Sequence, residues 1–260
     1  MAEQLTAQVT WLVNDVLIPV YEVVPIEYFY GVAAYALGVP LFQLIWGDYK
    51  IKSKLFKPAL LIYNIVLSIF SFACFLVSAE QFLREPMYGN DCDLWFSVPK
   101  NQLFKTAVLY FAWSKYVEFL DTLFLILNNR GVSLLHYFHH IGAPIDMAAL
   151  YYVEMESVIL FIGLNSFIHT VMYAYYGACI AYKGSKTLKA LKPFVTSLQI
   201  AQFLFGLYNF TFYLDVPCFV NNKYAVATYY FTFVYVSCVL LLFTHFFIGE
   251  YLCKSKKKVQ

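Results

Sequence analysis

Charge is what this chain has least of: Asp, Glu, Lys and Arg make up 13% of its residues, where soluble domains carry roughly 25%. That shortage excludes an ordinary soluble core. No Lys or Arg precedes Lys50, which speaks against a basic-headed signal peptide and against an Arg-rich transit peptide, so insertion would rest on the first membrane helix itself. No internal repeat, low-complexity tract or linker interrupts the chain, and 1–260 reads as a single multi-pass membrane domain. Apolar residues fill the space instead, at 61% against roughly 45–50% in soluble proteins.

The apolar residues fall into seven long runs, at 28–46, 59–79, 103–127, 133–152, 157–182, 194–214 and 225–248. Each is long enough for a hydrocarbon layer of about 30 Å at about 1.5 Å per helical residue. The fold class expected is therefore an all-α integral membrane protein with seven transmembrane helices. Residues 1–27, with Pro19 and Pro25, read as a short interfacial segment, 28–248 as the helix bundle, and 249–260 as a basic tail. The third and fourth runs are too polar to face lipid alone and should pack inside the bundle. Of the 18 Lys and Arg residues, a cytosolic C-terminus places thirteen in cytosolic segments, four on the other side and Lys115 within a helix. The positive-inside rule then sets the N-terminus outside and the C-terminus in the cytosol. Cys92 and Cys218 both fall in outer loops, where thiols are oxidised; they could form a disulfide, or be two unrelated loop cysteines.

Four of the five histidines lie between 136 and 169. His136, His139 and His140 are spaced i, i+3 and i+4, so three imidazoles share one helical face, with Asp146 one heptad beyond His139. The preceding helix has Lys115, Glu118, Asp121 and Thr122 on one stripe; the following helices have Asn165, His169, Met172, Tyr173 and Tyr176, then Thr196, Gln199 and Gln202. An ionisable group at the bilayer centre costs about 2.5–3.5 kcal/mol on insertion scales, so each stripe must face a protein interior. Lys115 with Glu118 makes an i, i+3 ion pair, and Asp121 or Asp146 could hold a histidine tautomer. For Asn165, Gln199 and Gln202, plain interhelical hydrogen bonding is an equal reading. Three imidazoles on one face have no such structural need, and neutral imidazole suits proton transfer or nucleophilic attack near pH 7. His245 stands alone and is left outside the site. Two irons would need more imidazoles than these; a single zinc on three histidines stays open, but metal-free chemistry is the expectation.

Together the motifs Lys115-x-x-Glu118-x-x-Asp121-Thr122, His136-x-x-His139-His140, Asn165-x-x-x-His169-x-x-Met172-Tyr173 and Thr196-x-x-Gln199-x-x-Gln202 closely resemble those of the ELO family of very-long-chain fatty acid elongases. The sequence around them is similar to that of protist and algal members. The resemblance implies a 3-oxoacyl-CoA synthase that condenses a long-chain acyl-CoA with malonyl-CoA, releasing carbon dioxide and CoA. It implies that helices 2–7 form the bundle around a central acyl-chain tunnel. His139 maps to the family's proposed nucleophile, His169 would assist condensation, and His136 and His140 would position groups or move protons. Lys115, Asn165, Gln199 and Gln202 would supply donors to developing negative charge. Lys183, Lys186, Lys189 and Lys192 would meet the CoA head group or serve topology alone. Lys257 and Lys258 resemble a dilysine endoplasmic-reticulum retrieval signal. No cofactor is expected beyond the two CoA substrates. Partners expected are membrane lipid and the reductase and dehydratase of the elongation cycle, with room for a homo-oligomer and no role for nucleic acid. Chains of C16 to C20, including polyunsaturated ones, are the expected substrates. A histidine-cluster metalloenzyme and a seven-helix lipid transporter are the alternatives.

Overall fold

A computed structural model of the chain describes residues 2–46, 51–84, 101–213 and 217–253. Cys92, the Cys218 side chain, Lys257 and Lys258 lie outside the described residues, so the disulfide and retrieval-signal readings do too. The helices in chain order are α1 (Ala2–Trp11), α2 (Ile18–Val23), α3 (Ile26–Trp46), α4 (Phe56–Arg84), α5 (Gln102–Val117), α6 (Phe119–Leu127), α7 (Leu134–Tyr152), α8 (Ser157–Ala181), α9 (Lys186–Phe210), α10 (Pro217–Val220) and α11 (Lys223–Phe247). A π-helical turn, Leu12–Leu17, joins α1 to α2, and another, Ile248–Cys253, continues α11. Among the described residues there is no strand.

Each of the seven apolar runs is helical, but four helices meet the length and apolarity of a membrane span: Ile26–Trp46, Phe56–Arg84, Ser157–Ala181 and Lys223–Cys253. The third run is split into helices of 16 and 9 residues, too short to qualify, and the fourth and sixth carry polar stripes. At the split, Glu118 separates α5 from α6, and the Asp121 N–H bonds the Glu118 carbonyl at 3.0 Å, a tightened i→i+3 turn. Apolar side chains point outward on the span-forming helices, with Leu44 84% and Leu83 82% exposed, as suits a surface solvated by lipid.

The closest helix pairing is α4 against α8, and small residues explain it. Ser78 Oγ donates to the Ile159 carbonyl at 2.6 Å and Ser68 Oγ to the Thr170 carbonyl at 3.0 Å, while a Cβ at Gly163 would come within 3.2 Å of Ser78 Oγ. Helix association in lipid depends on such close backbone approach. Phe104, Phe111, Leu150, Ile162 and Phe219 are fully buried in the largest apolar cluster.

Two sets of contacts tie the N-terminal part of the chain to the rest. The N-terminal segment packs on the last helix: Val16, Val20 and Val24 are buried, Trp11 meets Tyr230 edge-on at 5.1 Å, and Lys223 Nζ is 3.3 Å from Glu22. The first long helix, α3, packs against the helices that follow it. Tyr116 Oη donates to the Tyr28 carbonyl at 2.9 Å and Tyr137 Oη to the Ala36 carbonyl at 2.6 Å, pinning α3 against α5 and α7. A Cβ at Gly31 would collide with the Tyr116 ring, so only glycine admits this approach.

Candidate functional site

The histidine box begins where α7 begins. Ser133 caps the helix, its side chain accepting the His136 backbone N–H at 3.2 Å, so the first histidine is set in the first turn. His136 Nε2 lies 2.7 Å from Thr122 Oγ1 on α6, and Tyr35 Oη on α3 lies 2.8 Å from the same oxygen. The His136 and His140 rings are 4.3 Å apart and those of His139 and His140 5.3 Å apart, so the spacing does gather the three imidazoles. His140 is buried beside Tyr35 and Phe119. Among the described residues, neither the His139 nor the His140 side chain has a hydrogen-bond partner. The His139 carbonyl accepts from Tyr235 Oη at 3.0 Å, and Gly142 makes room for that tyrosine, because a Cβ there would strike its ring.

A charged cluster faces the box. Lys115 Nζ is 2.8 Å from Glu118 Oε1 and 3.3 Å from Asn165 Oδ1, and lies 4.0 Å from the centre of the Phe111 ring. His169 Nδ1 is 3.4 Å from the same Glu118 oxygen, a close charge contact without hydrogen-bond alignment. These side chains are all buried, so each depends on the others for its charge to be tolerated. Tyr173 Oη donates to Asp121 Oδ2 at 2.8 Å. The third run links the two groups: Phe119, which follows Glu118, meets the His140 ring, and Thr122, which follows Asp121, meets His136.

Other candidate residues lie apart from the box. Asp146 is fully buried, but its Oδ1 accepts from Thr232 Oγ1 at 2.6 Å and its Oδ2 has no partner. The carboxylate that touches a histidine is Glu118. Gln199 Nε2 contacts Met172 Sδ at 3.3 Å. Lys183, Lys186 and Lys189 are exposed around the α8–α9 connection, while Lys192 is 3.0 Å from Glu250 on the closing π-helical turn. Among the described residues, no three His, Cys, Asp or Glu side chains are arranged to hold a metal ion.

Gln202 and Asn165 line a partly open cavity between α8, α9 and α11. Its wall is otherwise largely apolar, including Leu160, Leu164, Phe203 and Phe233. Asn165 therefore belongs to both cavity and cluster, since its carbonyl oxygen receives Lys115. Sequence reasoning passed over Tyr35, Tyr235 and Thr232. Tyr35 had a visible signal: residues 28, 32, 35 and 39 form the buried stripe of α3, a helical period that marks an inward face.

The fold and site define an integral membrane protein with a candidate catalytic centre buried among its helices. The ELO family model, described as the GNS1/SUR4 family, matches residues 23–259, and the chain belongs to that family. It is similar to very long chain fatty acid elongase 5 of Xenopus laevis, 30% identical over 78% of this chain and 68% of that protein. It is also similar to fatty acid elongase 2 of Trypanosoma cruzi, 30% identical over 59% of this chain and 56% of that protein, so it spans little more than half of that relative. Fatty acid elongase 1 of Trypanosoma brucei brucei is 27% identical over 79% of this chain and 70% of its own length.

Proposed function

We propose that the protein is a fatty acid elongase, a 3-oxoacyl-CoA synthase of the endoplasmic reticulum membrane. The observation that carries this reading is the meeting of three elements: an unbonded His139 ring, the buried Lys115–Glu118–His169–Asn165 cluster, and an apolar cavity that begins at Asn165. The family membership and the relatives' names agree with it. The polypeptide crosses the membrane seven times, with α5 and α6 together forming one span. The N-terminus is luminal and the α8–α9 lysines are cytosolic, where Lys183, Lys186, Lys189 and Lys192 meet CoA.

In the first half-reaction a nitrogen of His139 attacks the acyl thioester carbonyl; the C–S bond breaks, CoA leaves as the thiol, and an acyl-imidazole remains. Decarboxylation of malonyl-CoA then yields carbon dioxide and an enolate, which attacks the acyl carbon. The C–N bond breaks, 3-oxoacyl-CoA forms, and the departing imidazolate takes a proton from water, which restores the imidazole. The amides of Asn165, Gln199 and Gln202 and the Lys115 ammonium stabilise enolate charge, in an interior where fixed donors outperform water. His169, held against Glu118, assists this second step. His136 and His140 position groups, and no metal takes part. The acyl tail, C16 to C20 and in some substrates polyunsaturated, lies in the cavity, and the product passes to a reductase and then a dehydratase.

Yeast microsomes containing the protein, given palmitoyl-, linoleoyl- or arachidonoyl-CoA with radiolabelled malonyl-CoA, should form a labelled 3-oxo product two carbons longer. His139→Ala should lower it by at least ~10³-fold, the scale on which loss of a nucleophile is felt. Labelled acyl-CoA without malonyl-CoA should acylate wild type and not His139→Ala. Full activity in His139→Ala would sink the acyl-histidine step. Loss of activity on chelation would favour the metalloenzyme, and flux without product the transporter.

A further inference from the structure

We propose that Tyr35 is a positioning residue of the histidine centre: acting through Thr122, it holds His136 as the tautomer protonated on Nδ1, with Nε2 fixed as an acceptor. The geometry stands by itself; its consequence for condensation rests on the elongase reading above.

Three helices meet at one hydroxyl. Thr122 Oγ1 on α6 is 2.8 Å from Tyr35 Oη on α3 and 2.7 Å from His136 Nε2 on α7. Thr122 has a single hydroxyl proton, so it donates either to His136 or to Tyr35; accepting from both would leave its own proton unmet at a residue only 1% exposed. With Thr122 donating to His136 Nε2, Tyr35 donates to Thr122, both hydroxyl protons have acceptors, and the Nδ1–H falls on a ring that is only half-buried. In the other direction, His136 Nε2–H donates to Thr122 and Thr122 donates to Tyr35. The Tyr35 proton would then point into a site only 6% exposed, where no second acceptor stands among the described residues. A buried donor left unmet is the costlier arrangement, so the first direction holds.

Thr122 also departs from the habit of other threonines in this chain. Thr106, Thr170, Thr196 and Thr244 each donate to the carbonyl four residues back in their own helix. Thr122 has no such bond among the described residues, and its proton goes across the helix interface instead. Tyr35 is well held for its part. Its ring lies 4.2 Å from that of Phe119 and stacks at 5.8 Å on Tyr137, whose hydroxyl bonds the Ala36 carbonyl one residue on. The α3 helix is therefore fixed in register on both sides of the residue it contributes.

The relay divides labour within the box. His136 has its Nε2 lone pair engaged, so that nitrogen serves neither as acyl acceptor nor as base, and the ring offers an Nδ1–H donor. His139, unbonded, keeps a lone pair for attack. This explains in physical terms why one of two neighbouring imidazoles, and not the other, is the nucleophile.

The test is 15N NMR of the full-length protein in detergent, labelled at its five histidines, with His136→Gln used to assign the signal. Wild type should show Nδ1 protonated and Nε2 bare. Tyr35→Phe, which keeps the ring contacts, should shift Nε2 toward the mixed-tautomer position. A protonated Nε2 in wild type, or no change in Tyr35→Phe, overturns the proposal. Kinetics give a second reading: Tyr35→Phe should lower kcat by ~3–10-fold, the span of one lost hydrogen bond, with KM for acyl-CoA unchanged. Thr122→Val should lower it further, Thr122→Ser should restore it, and the double variant Tyr35→Phe/Thr122→Val should be no worse than Thr122→Val. Losses that multiply would mean that Tyr35 acts elsewhere, and would overturn the relay. If wild-type microsomes form no product, the elongase reading falls, and the NMR still decides the tautomer. Each variant is first checked for a monodisperse gel-filtration peak, so that misfolding is not read as chemistry.

Discussion

Two regions of one interior are built on opposite principles. Around the first turns of α7 and the junction of α5 with α6, polar side chains are tied to one another: Lys115 to Glu118 and Asn165, His136 to Thr122, Asp121 to Tyr173. In the cavity between α8, α9 and α11, Gln202 Oε1 has no partner and Gly206 faces open space. The first region holds its geometry without a ligand. The second holds a volume that something else must fill. A site of this kind separates chemistry from fit, so that changes in the two regions should fail in different ways.

Removing a charge from the tied region should have the largest effect. Glu118→Gln leaves the Lys115 ammonium buried without its carboxylate and takes away the charge facing His169. Breaking a buried pair costs about 3–5 kcal/mol, so the variant should express poorly and unfold many degrees lower in a detergent thermal melt. Lys115→Met/Glu118→Leu removes both charges at once and should recover much of that stability, as hydrophobic replacements of buried pairs do. It should not recover condensation. Recovery of both would show that the pair serves folding only, and would weaken the contrast between the regions.

The tied region also depends on close approach. Gly142→Ala places a methyl against the Tyr235 ring, whose hydroxyl holds the His139 carbonyl. Overpacking of this kind costs about 1–3 kcal/mol, and here it should displace the nucleophile's own backbone. The melt should show a moderate loss, with a larger fall in kcat. Gly142→Ala/Tyr235→Ala relieves the clash and should restore stability in part, which separates crowding from any intrinsic need for glycine in the helix.

How much of this was legible in advance follows from what is local. Hydropathy is a property of consecutive residues, so the seven runs fell on helices that the structure also has, and helical spacing gathered His136, His139 and His140 as expected. Rotation of one helix against another is not local. That is why Asp121 and Asp146 were the expected partners for a histidine and Glu118 only for Lys115, whereas the helices turn Glu118 to His169, Asp121 to Tyr173 and Asp146 to Thr232. Tyr35 was hidden for the opposite reason: on a stripe of apolar residues an aromatic ring reads as packing, and its hydroxyl matters only because α6 brings Thr122 to meet it.

Filling the untied region should change selectivity while leaving the chemistry intact. Gly206 lines the cavity and a Cβ on it would meet nothing within 4 Å, so the first atom of a larger side chain there is free of clashes. Gly206→Leu should fold like wild type and discriminate against long acyl chains, since each methylene accommodated or refused in an apolar pocket is worth ~10-fold or more. Product profiles with decanoyl- and palmitoyl-CoA offered together should move toward the shorter chain. A uniform loss on both would mean that the cavity is part of the chemical centre.

The smallest effect is expected at Gln202. Its Oε1 is buried in the cavity wall without a partner, and an unmet buried acceptor already bears its desolvation cost. Gln202→Leu replaces that amide with an apolar group of similar length in an apolar wall. Stability should therefore stay within about 1 kcal/mol of wild type, with any change toward a higher melting point, whereas Asn165→Leu, which deprives Lys115 of its second acceptor, should lower it. The two residues line the same cavity and belong to the same residue class, so the difference between them isolates the tie to Lys115. Equal destabilisation by both would show that the amides are ordinary bundle contacts, and that the division between a tied centre and an open cavity does not pass through Asn165.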